Sequence, residues 1–181
     1  MRLLAIYGSP RAGGNSDLLL SSFVEGAKRV GFSIKEVYVR DLKIMPCNGC
    51  GQCSQKEFCP LEDDMQWVYK EIEGADVLVV ATPVYFYNVP APLKALVDRS
   101  QLLWHKGLRS EKPGYLLSVG GSKGQRLFEG VVLTVKYFFE ACGFYLKQQF
   151  FYKQIDSFGE IKRHPEALKE VYRAGLNLCQ K

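Results

Sequence analysis

The chain alternates short apolar runs with amphipathic segments, and this alternation constrains its fold more than any other feature. The apolar runs predict five strands, at residues 3–8, 33–40, 76–82, 114–119 and within 144–155. The amphipathic segments predict five helices, at residues 16–30, 63–73, 91–103, 125–142 and 164–179. Strands that alternate with helices form a parallel sheet with right-handed crossovers. We therefore predict an α/β fold, a doubly wound five-stranded parallel sheet in the order 2-1-3-4-5 with helices on both faces.

The length of 181 residues and the hydrophobic fraction of 47% predict a single domain, residues 1–181, with an ordinary core. No apolar run reaches the roughly 18–20 residues of a membrane span, and no secretory leader is recognisable. We therefore expect a cytoplasmic protein without membrane contact. The net charge of +5 is mild, whereas nucleic-acid binders concentrate more positive charge on one face, so we expect no nucleic-acid partner.

One long segment, residues 41–62, interrupts the alternation and carries no strand or helix pattern. A structureless loop of this length inside a compact domain is usually functional. It holds Cys47, Cys50, Cys53 and Cys59, in the spacing C-x2-C-x2-C-x5-C. The two-residue gaps bring successive sulfurs around one compact cube, as in ferredoxin-type ligation. This one loop can therefore supply four thiolates to a [4Fe–4S] cluster.

Alternatives to a cluster stay open at this point. Structural zinc sites with four cysteines usually use two C-x-x-C pairs separated by a longer loop, a less compact pattern than this one. The thiols can also stay free of metal, while disulfides are disfavoured in the reducing compartment that we expect. Cys142 and Cys179 are isolated in the sequence, so we predict packing roles for them, or an exposed position for Cys179.

The loop after the first strand, residues 8–16, is rich in glycine and serine and leads into a helix. N–H groups at a helix start, together with the helix dipole, favour an anion. Ser9, Asn15 and Ser16 add side-chain donors, and Arg11 adds a fixed positive charge. The loop lacks the ending of a P-loop and the dinucleotide fingerprint G-x-G-x-x-G. It predicts a site for a phosphate monoester; the alternative is an ordinary glycine-rich turn.

Two further loops follow strands 3 and 4, at the edge where sheets of this kind bind ligands. Their candidate residues are Pro83, Val84, Tyr85 and Phe86 after strand 3, and Gly120 and Gly121 after strand 4. A flat ring can stack on the aromatic side chains, and the glycines permit close approach of the backbone to a ligand. Each loop alone is also explained by packing or by a flexible turn. Together with the phosphate site, they predict a pocket for flavin mononucleotide (FMN).

The segments GSPRAGGNS (8–16) and TPVYFYNVPAPLKALVDR (82–99) resemble those of the flavodoxin-like NADPH-dependent FMN reductase superfamily. The cysteine run, followed by the triplet Asp63-Asp64-Met65, resembles its iron–sulfur flavoprotein branch. The resemblance implies a flavodoxin-like fold and a homodimer or homotetramer. The phosphate contacts that it implies are Ser9, Arg11, Asn15 and Ser16. The flavin ring contacts that it implies are Pro83, Val84, Tyr85 and Phe86, with Gly120 and Gly121 closing the site.

The function that the resemblance implies is electron transfer by an oxidoreductase through FMN and a [4Fe–4S] cluster, with a small acidic redox protein such as ferredoxin as donor. No catalytic side chain is required, because the cofactors carry the chemistry. His105 and His164 accompany no nucleophile motif, which argues against a histidine-dependent hydrolase. Two other functions stay open: an NAD(P)H-dependent FMN or quinone reductase without a cluster, and a non-enzymatic zinc-stabilised interaction or sensor domain.

A basic stretch at residues 106–126 bears on the choice of donor. Its positive side chains are Lys106, Arg109, Lys112, Lys123 and Arg126. Such a stretch can steer an acidic protein by long-range attraction. The alternative, which we favour, is an ordinary solvated face.

Overall fold

A computed structural model describes residues 1–109 and 111–179 of the chain. Its sheet has five parallel strands in the order β2-β1-β3-β4-β5, which confirms the predicted topology. The strands are β1 (Arg2–Tyr7), β2 (Ser33–Tyr38), β3 (Val77–Pro83), β4 (Lys112–Gly120) and β5 (Phe144–Lys153). The carboxyl ends of these strands lie at one edge of the sheet, where the candidate ligand loops emerge.

The helices follow the predicted pattern with two differences. They are α1 (Asn15–Arg29), α2 (Gln52–Lys56), α3 (Met65–Glu73), α4 (Ala91–Arg99), α5 (Gln101–His105), α6 (Glu129–Ala141) and α7 (Pro165–Leu176). We predicted no helix in residues 41–62, and this prediction is wrong because α2 lies there. The helix was missed because it is too short to show a helical period. The predicted helix 91–103 is divided, because the Ser100 hydroxyl donates to the Leu96 carbonyl at 3.1 Å and bends the backbone between α4 and α5.

The core lies in two layers, one on each face of the sheet. Alternate residues of β3 point to opposite faces, so that Leu78 and Val80 pack in the layer of α3 to α6 and Val79 in the layer of α1 and α7. Helices therefore cover both faces, as predicted. No helix within residues 1–109 and 111–179 is long and apolar enough to cross a membrane.

Two glycines let α7 pack closely against α1. A Cβ atom at Gly26 would lie 2.2 Å from the Tyr172 carbonyl oxygen, and one at Gly175 would lie 2.1 Å from the Phe23 carbonyl oxygen. Neither position accepts a larger side chain without a shift of backbone. This contact holds α1, and with it the loop that precedes α1, against the sheet.

Candidate functional site

The loop between β1 and α1 presents unpaired backbone donors at the carboxyl edge of the sheet. Gly14 caps α1 in an extended conformation and no side chain caps it, so the first N–H groups of the helix point outward. The Ser9 hydroxyl shapes the preceding turn, since it accepts from the Arg11 N–H at 3.0 Å and donates to the Arg11 carbonyl at 3.1 Å. The dipole of α1 adds to the attraction for an anion at this point.

These donors line a small cavity at the ends of β1, β3, β4 and β5, which we call the flavin cavity after the group that the sequence predicts there. Its volume is about 80 Å³, and nine of the ten residues predicted for the flavin site line it. The nine are Ser9, Arg11, Asn15, Ser16, Pro83, Val84, Tyr85, Gly120 and Gly121. Sites that enclose drug-sized ligands occupy about 300–1,000 Å³. The enclosed space therefore fits a phosphate and its adjoining chain, and a flat ring would lie at the mouth beside Tyr85.

Phe86, the tenth predicted residue, does not line this cavity. It lies at the tip of a tight turn, residues 85–88, in which Tyr85 and Asn88 exchange backbone hydrogen bonds of 2.8 and 2.9 Å. Phe86 and Tyr87 have φ angles of 47° and 61°, in the left-handed region that bulky residues rarely adopt. This backbone directs the Phe86 side chain fully into solvent, whereas Tyr85 stays beside the cavity.

The aromatic turn, residues 85–88, keeps this costly conformation because α6 and Asn88 support it. The Asn88 side-chain oxygen accepts from the Val89 N–H at 2.8 Å and from the Thr134 hydroxyl at 2.9 Å. Gly130 leaves room for the turn, since a Cβ atom there would lie 2.3 Å from the Tyr87 carbonyl oxygen. Unfavourable backbone conformations concentrate at functional sites, so we include the turn in the candidate site.

The residues predicted to bind phosphate play different parts. Asn15 is engaged at both ends, because its amide group donates to the Ser157 carbonyl at 2.9 Å and accepts from the Ile161 N–H at 3.1 Å. The Asn15 side chain therefore ties the loop after β5 to the cavity, and its backbone N–H is what faces an anion. Ser16 is buried and Arg11 is exposed, and in the described part of the chain neither side chain has a partner. These two side chains are available to a phosphate.

Sequence reasoning missed one wall of the flavin cavity, which the loop after β5 supplies. Ile155, Asp156 and Phe158 line the cavity. Asp156 packs closely on Gly121, since a Cβ atom at Gly121 would lie 3.0 Å from the Asp156 side chain. Position was the available signal, because the carboxyl end of β5 lies at the same edge as the other ligand loops. No motif in residues 154–159 distinguishes this loop from an ordinary turn.

A buried ion pair lies beneath the loop between β1 and α1. Asp17 Oδ2 accepts from the Arg40 guanidinium at 2.9 Å and from the Gly13 N–H at 3.0 Å. Asp17 Oδ1 is buried and has no partner within the described residues. Burial raises the pKa of Asp17, although Arg40 and the Gly13 N–H oppose this shift. The pair joins the loop between β1 and α1, which we call the phosphate loop, to the segment that follows β2.

The four clustered cysteines line a second cavity, of about 260 Å³, between the cysteine loop (residues 41–62) and α5. Cys47 and Cys50 are exposed, whereas Cys53 and Cys59 are half-buried. Burial raises the pKa of Cys53, and the nearby thiols of the other three raise it further. All four cysteines line this cavity, but no group of three His, Cys, Asp or Glu side chains in residues 1–109 and 111–179 is placed to hold a metal ion. The two cavities share no lining residue.

Side chains at the start of α3 fix both stems of the cysteine loop. Asp63 accepts from the Met45 N–H at 2.8 Å, before the first cysteine. Gln66 donates to the carbonyls of Cys59 and Leu61, at 2.9 and 2.8 Å, around the last cysteine. The thiols thus lie on a loop whose ends are fixed and whose middle is exposed.

Arg99, at the end of α4, completes this anchorage. Its guanidinium is buried and pairs with Asp63 through both Nη atoms, at 2.6 and 3.2 Å. The same group donates to the carbonyls of Met45 and Leu61, at 2.9 and 3.3 Å, so one side chain holds both stems. Burial opposes ionisation of Asp63, but Arg99 and two backbone N–H groups hold its pKa below the usual value. Sequence reasoning gave Arg99 no role, because 36 residues separate it from Asp63.

Of the remaining cysteine and histidine side chains, one lies at the cysteine cavity and the others lie elsewhere in the fold. His105 lines the cysteine cavity from α5, a position that the bend at Ser100 creates and that the sequence did not indicate. Cys142 is buried at the end of α6, in agreement with its predicted packing role, and Cys179 is exposed.

Two of the five cations of the basic stretch pair closely with carboxylates, and a third is bound by backbone carbonyls. Lys106 pairs with Glu73, and Lys112 donates to two backbone carbonyls at 3.1 and 2.8 Å. Arg126 pairs with Glu129 at 2.7 Å. Charges that are paired locally contribute little field at a distance. These contacts favour the interpretation of the stretch as a solvated face.

Both cavities match their predicted groups in donor chemistry. Uncapped N–H groups, a hydroxyl and a guanidinium are the donors that bind a phosphate monoester. Four thiols around one cavity are the donor set of a [4Fe–4S] cluster, and also of zinc. In donor chemistry the four thiols therefore fit either group.

Comparison with known proteins places the chain among flavin enzymes. The family model described as NADPH-dependent FMN reductase matches residues 1–141. An iron–sulfur flavoprotein of Methanosarcina thermophila is 43% identical over 124 residues, which are 68% of this chain and 65% of that protein. An iron–sulfur flavoprotein of Archaeoglobus fulgidus is 34% identical over 140 residues, 73% of this chain and 69% of that protein. The chain thus spans just under two thirds of the Methanosarcina relative.

Solved structures show the same fold at low identity. The NAD(P)H:quinone oxidoreductase from Methanothermobacter marburgensis superposes with a TM-score of 0.75 at 19% identity, covering 100% of this chain and 98% of that one. A flavodoxin from the domain Archaea gives a TM-score of 0.61 at 14% identity, covering 99% and 97%. The fold is therefore flavodoxin-like, as predicted.

Proposed function

The chain belongs to the NADPH-dependent FMN reductase family and to its iron–sulfur flavoprotein branch, and from this we propose that it is an FMN-dependent oxidoreductase. It moves electrons between a one-electron donor and an acceptor. The flavin cavity holds FMN, and Cys47, Cys50, Cys53 and Cys59 hold a [4Fe–4S] cluster. When bound, the two groups supply the redox chemistry, since a cluster exchanges single electrons and a flavin exchanges one or two.

The observation that carries this proposal is the anchored cysteine loop. Four thiols line one cavity, and the buried pair of Arg99 and Asp63 holds both ends of the loop that carries them. Taking two charges out of water costs several kcal/mol per ion before their attraction offsets it. Such an arrangement is expected where the position of a loop matters, and it is unnecessary for a simple mobile lid.

At the flavin cavity the side chains of this protein bind and orient. The N–H groups of the first turn of α1, the Ser16 hydroxyl and the Arg11 guanidinium bind the phosphate. Gly120 and Gly121 let the backbone of the β4 loop approach the flavin, and Tyr85 flanks the ring at the mouth. Within the described residues, the one carboxylate that lines this cavity is Asp156.

The donor and the assembly are also part of the proposal. We propose a small acidic redox protein such as ferredoxin as donor; Lys123 and Arg109, which is 4.0 Å from Glu111, are the cations of the basic stretch that stay available to it. We propose a homodimer or homotetramer, which the exposed Trp104 and Tyr137 beside the groove between α5 and α6 support.

A second candidate function is an NAD(P)H-dependent FMN or quinone reductase without a cluster. The family match favours it, since the matched description names NADPH and residues 1–141 include every predicted flavin contact. In that case the flavin site is the same and the cysteine loop serves as a lid.

Anoxic purification followed by measurement of iron, acid-labile sulfide, zinc and FMN distinguishes these functions. The first proposal predicts about four irons and four sulfides per FMN, which is the stoichiometry of one cubane cluster. Full FMN with no iron, and rapid anaerobic bleaching by NADPH, would support the cluster-free reductase. A colourless protein with one zinc would instead indicate the zinc-stabilised domain.

A further inference from the structure

Arg99 leaves one donor unused beneath the cysteine loop. Its two Nη atoms make all of the hydrogen bonds described above, whereas its Nε atom is buried and has no partner within the described residues. The side chain is 1% exposed, so bulk water does not satisfy this N–H group. A buried, unpaired donor costs about 1–3 kcal/mol and is rare in native proteins. A ligand that supplies an acceptor would remove this cost.

The acceptor can come from the cysteine cavity, because Arg99 forms part of its wall. Arg99 lies near Cys59 along the chain of the loop, because it donates to the carbonyl of Leu61, two residues after Cys59, at 3.3 Å. Tyr69 donates to the Arg99 carbonyl at 2.7 Å and holds this end of α4 in place. Asp63 already balances the charge of Arg99. What Arg99 has left for a ligand is therefore one N–H group and no net positive charge.

We propose that Arg99 is a positioning residue of the cluster site. Its ion pair with Asp63 keeps both loop stems in place before the cluster binds. Its Nε–H group then donates to an anionic sulfur, either of the cluster itself or of a ligating thiolate. The inference rests on the proposed function, since it requires a cluster. Hydrogen bonds to sulfur help to set cluster potentials, and they stabilise the reduced, more negative state.

The first test compares Arg99→Lys with the matched control Arg126→Lys, in the full chain purified without oxygen. Lysine keeps the positive charge and a bond to Asp63 but has no Nε–H group. For Arg99→Lys we expect retained iron and a tenfold smaller equilibrium constant for reduction, which is a potential 59 mV lower for one electron. Arg126 is exposed and lies outside both cavities, so its variant should titrate like the wild type. An unchanged potential in iron-loaded Arg99→Lys would overturn the inference.

The second test uses the wild-type protein, so it still tests the hydrogen bond from Arg99 if Arg99→Lys does not bind iron. Arginine is labelled with heavy nitrogen at Nε, and the hyperfine spectrum of the reduced cluster is recorded. We expect a nitrogen coupling that persists in Arg126→Lys, and its absence from the wild type would overturn the inference. A wild-type protein that holds FMN but no iron would refute the proposed function, so the two failures are distinguishable.

Discussion

The two candidate loops each rest on a pair of aspartate and arginine, and the pairs differ in which polar atom has no partner. Beneath the phosphate loop, Asp17 and Arg40 leave the carboxylate oxygen Oδ1 without a partner. Beneath the cysteine loop, Asp63 and Arg99 leave the guanidinium Nε without a partner. The first pair therefore has a surplus acceptor and the second a surplus donor.

This difference reflects how each loop is held. The phosphate loop is short and shaped by its own backbone turn and by the start of α1, so the pair beneath it is a supplement. The cysteine loop is long and has fixed stems because Asp63, Gln66 and Arg99 bind its backbone. One site is thus built by local backbone geometry, whereas the other depends on side chains brought from distant parts of the chain.

The strongest way to test this contrast is to remove one thiol. Cys53→Ser should lose nearly all iron, because a [4Fe–4S] cluster needs four thiolates from this loop. FMN binding should be unchanged, since the two cavities share no lining residue. Cys179→Ser, at an exposed cysteine, is the control and should keep both groups. Iron and flavin assays on the purified variants measure the result, and a joint loss of iron and FMN would contradict the independence of the sites.

Removing one charge from each pair compares them directly. Asp63→Asn should lower the free energy of unfolding by about 3–5 kcal/mol, because it leaves the buried Arg99 uncompensated. Asp17→Asn should cost no more than about 1 kcal/mol, since Arg40 is partly exposed and the unpaired oxygen is no longer charged. Urea unfolding of both variants measures the difference, and equal losses would show that the pairs are equivalent.

The same two carboxyl groups should give opposite pH dependence. The pKa of Asp63 is lowered in the folded protein, so its stabilisation is present above the pKa of the unfolded state and is lost as the pH falls through the folded value. The pKa of Asp17 is raised, so its contribution is present at low pH and is lost as the pH rises through the folded value. The free energy of unfolding should be measured between neutral and acidic pH. Asp63→Asn should remove a decrease of this free energy as the pH falls, and Asp17→Asn should remove an increase.

A smaller effect is expected at the phosphate loop. Ser16→Ala removes one buried hydroxyl that is available to the phosphate, and hydrogen bonds to charged groups are worth about 1.5–3 kcal/mol. The dissociation constant of FMN should rise about ten- to hundredfold. Ser33→Ala, at an exposed position on β2, is the matched control. Flavin fluorescence titration measures both, and an affinity equal to that of the control would exclude Ser16 from the site.

The smallest effect concerns the donor. Because two of the five cations of the basic stretch pair closely with carboxylates, the rate of reduction by an acidic ferredoxin should fall only a fewfold as salt rises from low to about 0.5 M. Stopped-flow reduction at several salt concentrations measures this dependence. A fall of a hundredfold or more would show strong steering and would restore the basic stretch as a docking surface.

The sheet order and most of the flavin cavity could be predicted because they follow from local periodicity and from the rule that ligands bind at the carboxyl ends of strands. Arg99 could not, because a buried ion pair across 36 residues leaves no periodic signal. Asp156 and Phe158 were missed because the loop after β5 carries no motif. Phe86 was grouped with its neighbours because sequence order does not show that a left-handed turn points one aromatic ring away from the others.

The aromatic turn, finally, is where substitutions that raise heat tolerance would alter the candidate site. Phe86→Gly and Tyr87→Gly would each relieve about 1–2 kcal/mol, the cost of a left-handed backbone to a residue with a side chain. A screen that rewards survival on heating would therefore select against the two rings at positions 86 and 87. Thermostable variants obtained in this way should be checked for FMN binding and flavin reduction before they replace the parent, because this turn is part of the candidate site.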